Sequence, residues 1–157
     1  MEITKIPHKV LANKTASVAV ADIKDGSLRE LISDMKNAMK EHQGVGLAAN
    51  QIGRDLSIFV IEPKLAVDFG VPEVYINPEI TEYSKEVDEI EEGCLSIPEF
   101  FVLIRRAKKI KIKFVDENGQ KQKLKARGFL ARVLQHETDH LNGTVIKDRF
   151  EKAKARI

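Results

Sequence analysis

The chain has no tryptophan and a single cysteine, Cys94. One thiol excludes an internal disulfide, and the simplest reading is a reducing, cytoplasm-like compartment. Long apolar runs are missing: none approaches the roughly 20 residues that a membrane-spanning helix needs. The first residues, Met1-Glu2-Ile3-Thr4-Lys5, lack the apolar stretch of a secretory leader. A strong excess of one charge is missing too. The net charge of +2 argues for neither DNA nor an anionic membrane as a partner of the whole chain. No internal repeat, linker or low-complexity segment interrupts the sequence. What is present is 157 residues, 43% of them hydrophobic, enough for one globular domain spanning 1–157 and too few for two.

The most informative stretch is Gln135-His136-Glu137-Thr138-Asp139-His140. On a helix, His136 and His140 lie four residues apart, one turn from each other on one face. Two imidazoles so placed can grip one metal ion, and Glu137 beside the first can act as base toward a water. Phe129, Val133, His136 and His140 recur at helical spacing with Leu130, Leu134 and Leu141 beside them. That pattern predicts a helix from Arg127 or Gly128 to Asn142-Gly143, its apolar stripe and both histidines facing the core.

Earlier segments carry weaker signals. Residues 27–42 read as an amphipathic helix, with Ser27 and Glu30 in a capping-box pattern. His42 and His8 read as surface residues without partner spacing. Gly44-Val45-Gly46-Leu47-Ala48-Ala49-Asn50-Gln51 is either a helix stop and turn or a stretch kept small so that another backbone can approach. Leu56–Glu62 and Val74–Ile80 read as strands, and Tyr83–Ile90 alternates more weakly. Lys108–Val115 and Gln120–Lys125 read as a hairpin around Asp116-Glu117-Asn118-Gly119, with lysines on the solvent face. The acids from Glu86 to Glu92 read as a solvated run, with Glu92 the candidate exception beside Gly93-Cys94-Leu95-Ser96.

A catalytic metal site commonly takes three protein ligands and leaves one position open. An H-E-x-x-H-x-x-G-x-x-H extension fails, because Ile146 stands where the last histidine belongs. A downstream glutamate fails as well, because Glu151 near the chain end is the only one after His140. Cys94, whose thiolate binds borderline metals, remains.

Three stretches taken together, Gly44 to Gln51, Glu92 to Ser96 and Gln135 to His140, resemble in order and spacing the three motifs of the peptide deformylase family. The resemblance covers nearly the whole chain. It implies an α+β fold in which mixed, mainly antiparallel strands surround a central helix carrying the H-E-x-x-H. It implies removal of the formyl group from the formyl-methionine terminus of newly made polypeptides, with release of formate. Carried over position by position, Cys94, His136 and His140 are expected to bind one divalent metal, usually Fe2+ and replaceable by Zn2+, Ni2+ or Co2+. Glu137 is expected to move protons, with the Gln51 side chain and the Leu95 backbone N–H as oxyanion donors. Val45 and Gly46 are expected to pair with an extended substrate, and Val45, Ile90, Phe129 and Val133 to line its methionine pocket. Arg106 and Asp139 are expected to pair behind the metal ligands.

The chain also departs from the family pattern. Thr138 replaces a usually apolar residue, and Phe100-Phe101 stand where a basic side chain is common at the pocket rim. The tail is short, with Lys147, Arg149, Lys152, Lys154 and Arg156 outnumbering Asp148 and Glu151. A weak, salt-sensitive ribosome contact through it is an expectation. The implied location is the cytoplasm, or an organelle interior for a eukaryotic or viral source. Two alternatives stand beside this reading: a metallo-aminopeptidase or endopeptidase, and a non-enzymatic metal-stabilised module that binds ribosomes or nascent chains.

Overall fold

The computed structural model describes residues 1–155; Arg156 and Ile157, at the end of the basic tail, lie outside them. Helices α1 (Lys9–Ala12), α2 (Val20–Lys24) and α3 (Arg29–Glu41) come first. Then follow β1 (Gly46–Ala48), a 3-10 turn over Ala49–Ile52, β2 (Ile58–Ile61), α4 (Pro63–Phe69) and β3 (Val74–Tyr83). The chain ends with β4 (Val87–Cys94), β5 (Ile97–Ala107), β6 (Lys109–Val115), β7 (Lys121–Arg127), α5 (Gly128–Leu141) and α6 (Ile146–Ala155).

The fold is α+β. Five strands form an antiparallel sheet in the order β1-β2-β3-β6-β7, and β4 pairs only with β5 in a separate hairpin. Sequence patterning explains the larger sheet. Ile110, Ile112 and Phe114 alternate with Lys109, Lys111 and Lys113, so one face is buried and the other wet. The buried face packs Ile112, Phe114, Phe59 and Tyr75 against Leu130, Ala131 and Leu134 of α5. The opposite face of β2 and β3 packs Ile58, Val60, Val74 and Ile76 against Met35 and Met39 of α3. Each such large side chain removed from water contributes roughly 1.5–3 kcal/mol. Helix α5 therefore lies between the large sheet and the hairpin, buried on nearly every side.

Several expectations need correction. Ser27 does not cap α3: the N-cap is Leu28, without a side-chain cap, and the Ser27 hydroxyl instead donates to the Asp22 carbonyl. The Tyr83–Ile90 strand is two strands, because the chain turns at residues 84–86 between β3 and β4. The second hairpin strand runs two residues further than predicted, to Arg127. Phe129 does not face the core. It is 53% exposed, because the face of α5 it shares with Val133 opens onto a cleft. Strand β5 and helices α1, α2, α4 and α6 were not foreseen.

The end of α5 is fixed by close approach. Gly143 has φ +77°, and a Cβ there would stand 2.8 Å from the carbonyl oxygen of Ala12. Only glycine suits both the left-handed turn and that contact.

Candidate metal centre and cleft

Helix α5 brings His136 and Glu137 to the cleft floor and buries His140 beside them. The imidazole Nε2 atoms of His136 and His140 lie 3.2 Å apart. Cys94, at the end of β4, sets its Sγ 3.4 Å from the His140 Nε2. One ligand atom from each of these residues lies within 4.8 Å of the others. Two imidazole nitrogens cannot present lone pairs to each other at such range without a proton or a cation between them. The donor set, one thiolate and two imidazoles, suits Zn2+ or Fe2+ and not Mg2+ or Ca2+. His8 and His42 lie outside the cluster: His8 Nδ1 accepts from the Val10 N–H, and His42 Nε2 bonds the Met1 carbonyl.

The tautomer of His136 is set from behind. Its Nδ1 lies 2.8 Å from Glu92 Oε1. A carboxylate only accepts, so Nδ1 carries the proton and Nε2 is left as the ligand atom. Burial opposes charge on His136, but hydrogen bonds with Cys94 and Glu92 overcome it and hold the imidazolium up to about 10. A cation held by the cluster would take the place of that proton. His140 is pushed the other way, first by burial and then by the neighbouring His136.

Glu92 is the hub of a buried ionic network. Arg106 donates to it twice, at 2.6 and 2.9 Å, and reaches Asp139 at 2.9 Å. Arg132 also donates to Glu92, and to Asp88 at 2.7 Å. Arg149 of α6 grips both oxygens of Asp139. Burial raises the cost of ionising Glu92, yet the bonds from His136 and Arg106 outweigh it and hold the carboxyl far below its usual range. The chain Arg149–Asp139–Arg106–Glu92–His136 thus links α6 to an imidazole of the candidate metal cluster. The Arg106–Asp139 contact was foreseen; the parts played by Arg132 and Arg149 were not. Gln135 was missed as well. It stitches α5 to β5, accepting from the Ala107 N–H at 3.2 Å and donating to the Ala107 carbonyl at 2.8 Å.

Glu137 is buried, and its Oε2 has no hydrogen-bond partner among the described residues. Burial pushes its carboxyl up to about 7, where it can both take and give a proton near neutrality. Gln51 is fixed at its carbonyl end by the Ala48 N–H at 3.0 Å. Its Nε2 points to Ser96 Oγ at 3.2 Å and Cys94 Sγ at 3.7 Å. Leu95 follows Cys94 in the turn between β4 and β5.

The cleft above these groups encloses about 900 Å³. Val45, Gly46, Ile90, Leu95, Phe129 and Val133 are among its walls. Val45 and Ile90, like Phe129, are apolar yet substantially exposed, which is expected where a ligand supplies the missing cover. Gly46 lies in β1, an edge strand of the sheet.

Residues 1–156 match the family described as polypeptide deformylase. The chain belongs to the polypeptide deformylase family. A peptide deformylase of Prochlorococcus marinus subsp. pastoris is 42% identical over 149 residues, covering 95% of this chain and 73% of its own length. One from Treponema pallidum is 41% identical over 140 residues, covering 89% and 83%. The crystal structure of the Thermotoga maritima peptide deformylase matches with a TM-score of 0.85 at 39% identity, covering 94% of this chain and 95% of that one. The Synechococcus elongatus peptide deformylase, solved in complex with actinonin, matches with a TM-score of 0.85 at 37% identity, covering 95% and 78%. Membership makes the chain an enzyme, a metal-dependent hydrolase of N-formyl groups. Neither a metallopeptidase nor a binding module accounts for these matches.

Proposed function

We propose that residues 1–157 form one catalytic domain that acts on the formyl-methionine terminus of nascent peptides, with Cys94, His136 and His140 holding one divalent metal, Fe2+ first. The observation that carries this reading is the convergence of the three donors, within 4.8 Å, beside a buried Glu137 at the bottom of an apolar cleft. When bound, the ion supplies Lewis acidity toward a carbonyl oxygen and toward water.

The chain's own residues supply the rest. Glu137, with a carboxyl balanced near neutrality, takes a proton from the attacking water and returns one to the leaving nitrogen. As the formyl carbon becomes tetrahedral, its oxygen gains charge. The Gln51 Nε2, already aimed at the cluster, and the Leu95 N–H donate to that oxygen. The substrate backbone pairs at Val45 and Gly46, where the chain enters the edge strand β1, as an added strand. Val45, Ile90, Phe129 and Val133 receive the methionine side chain.

For contact with the ribosome, the cations of α6 divide unequally. Arg149 is held by Asp139, whereas Lys147, Lys152 and Lys154 are exposed. The latter three are the proposed contact. Among the described residues no helix is long and apolar enough to cross a membrane, and the lone thiol fits a cytoplasmic setting.

The test is formate release from a formyl-Met-Ala-Ser peptide after anaerobic loading with Fe2+, Zn2+ or Ni2+. Release of formate is expected, and Glu137→Ala is expected to abolish turnover while metal content stays at wild-type level. Absence of formate from the metal-loaded chain, or cleavage of unformylated peptides in its place, overturns the reading.

A further inference from the structure

A second cavity lies apart from the metal centre. It encloses about 650 Å³ and shares no lining residue with the cleft. That volume falls within the range of small-ligand sites. It opens where the end of α4, the end of β3, the start of β6 and the end of β7 come together. Phe69 and Val71 supply apolar wall, and Phe69 is 39% exposed.

The charge around this cavity is unbalanced. Lys109, Lys111, Lys125 and Arg127 line it, against the acids Asp68 and Glu82. Each acid already has a lysine partner: Lys64 meets Asp68 at 3.4 Å, and Lys111 meets Glu82 at 2.9 Å. Glu82 also feels the charge of Lys125, but less than that of Lys111. Lys109, Lys125 and Arg127 form no ion pair among the described residues. The register sets Lys109 directly opposite Arg127 and Lys111 opposite Lys125. Like charges so placed weaken a sheet. Protection of an edge explains cations on the outer strand β7, but Lys109 and Lys111 stand on β6, inside the sheet. An anion in the cavity would turn this repulsion into attraction.

Residues directly opposite on neighbouring strands have Cβ atoms about 5 Å apart, and the next pair along lies roughly 7 Å away. Side chains as long as lysine and arginine can meet on one small anion from such positions. A carboxylate would answer only one of the cations. A phosphate monoester carries a charge of about −1.5 to −2 at neutral pH and three acceptor oxygens, and the planar fork of Arg127 matches two of them. We propose that this cavity binds a phosphate monoester bearing a flat ring, of mononucleotide size. Lys109, Lys125 and Arg127 take the phosphate, and Phe69 takes the face of the ring. Such a group comes from a free nucleotide or from a single nucleic-acid strand. The strand would also reach Lys121 and Lys123, which continue the row on β7 beyond the cavity.

Calorimetric titration of the metal-loaded chain with AMP, adenosine and inorganic phosphate is the test. AMP is expected to bind one to one, on the order of tenfold more tightly than adenosine or phosphate. Lys109→Gln/Arg127→Gln is expected to weaken AMP binding about tenfold. Its urea midpoint should not fall, because the double variant removes a repelling pair. Phe69→Ala is expected to bring AMP down to the level of inorganic phosphate. A short oligouridylate then separates the two sources. Binding tighter than AMP that is lost in Lys121→Gln/Lys123→Gln marks a strand, and binding equal to AMP marks a free nucleotide. AMP held no more tightly than phosphate overturns the proposal. So does AMP binding that survives Lys109→Gln/Arg127→Gln, which would place the nucleotide at the metal centre instead. None of these readouts uses formate release, so failure here leaves the deformylase reading untouched, and the reverse holds too.

Discussion

Gly46 lies directly against Glu137: a Cβ added to Gly46 would stand 2.8 Å from the carboxylate Oε1 and 2.9 Å from Cγ and Cδ. The missing side chain leaves room for the carboxylate. Gly46→Ala is expected to push Glu137 off its position and lower kcat on the order of a hundredfold, the usual effect of a misplacement near 1 Å. Metal content should be unchanged, because Gly46 is not among the three converging donors. Steady-state formate release with parallel metal analysis checks both halves.

Gln51→Ala removes the amide N–H that faces Cys94 and Ser96. The expected loss is on the order of a hundredfold in kcat, about 3 kcal/mol, as for one oxyanion donor in a hydrolase. Near-normal turnover with metal retained would take Gln51 out of the mechanism.

Glu92→Ala takes the shared carboxylate from two buried guanidinium groups, leaving Arg106 with Asp139 alone and Arg132 with Asp88 alone as countercharges. Removing one partner of such a buried network costs about 3–5 kcal/mol, to be read from urea unfolding. His136 also loses the acceptor that orients its ring, so metal loss to a chelator should accelerate. Unfolding without any change in metal release would mean that Glu92 holds the fold and not the imidazole.

Asp116 gives a pH test away from the metal. Burial works against its ionisation, but hydrogen bonds from the Gln122 side chain and the N–H groups of Gln120 and Asn118 outweigh it and hold the carboxyl below 3.8. A folded-state value below the unfolded one stabilises at neutral pH, and that contribution disappears as pH falls through the depressed value. Asp116→Asn is expected to cost about 1–2 kcal/mol at pH 7. The gap between variant and wild type should narrow below about pH 4, as followed by urea midpoints across pH. A gap independent of pH would assign the loss to shape and not to charge.

The metal-site pattern was readable because it is local or nearly so. His136 and His140 reveal themselves by helical spacing, and Cys94 by being the only thiol in the chain. The network behind them was largely hidden. Arg132, Gln135 and Arg149 read as ordinary polar positions, because their partners Glu92, Ala107 and Asp139 sit on other elements. A charge in a sequence does not announce whether a countercharge will meet it. Strand β5 escaped because Phe100-Phe101-Val102-Leu103-Ile104 is apolar throughout, without the alternation that marks a half-buried strand. The exposure of its Phe101 is intelligible only once the cleft that it lines is known. Ser27 shows the reverse error. A capping pattern was present, but its hydroxyl was claimed by the preceding helix.

The five-stranded sheet has two margins, and they are not alike. On the outer strand β7, Lys121, Lys123, Lys125 and Arg127 are exposed, and the register sets Lys125 opposite Lys111 and Lys123 opposite Lys113. Such a border repels any further strand that is not itself rich in acids, and so protects against sheet-to-sheet polymerisation. The other border is three small or aliphatic residues, Gly46-Leu47-Ala48, without a charge. An approaching strand therefore meets a row of cations at one side of the molecule and none at the other, where Gly46 stands against the Glu137 carboxylate.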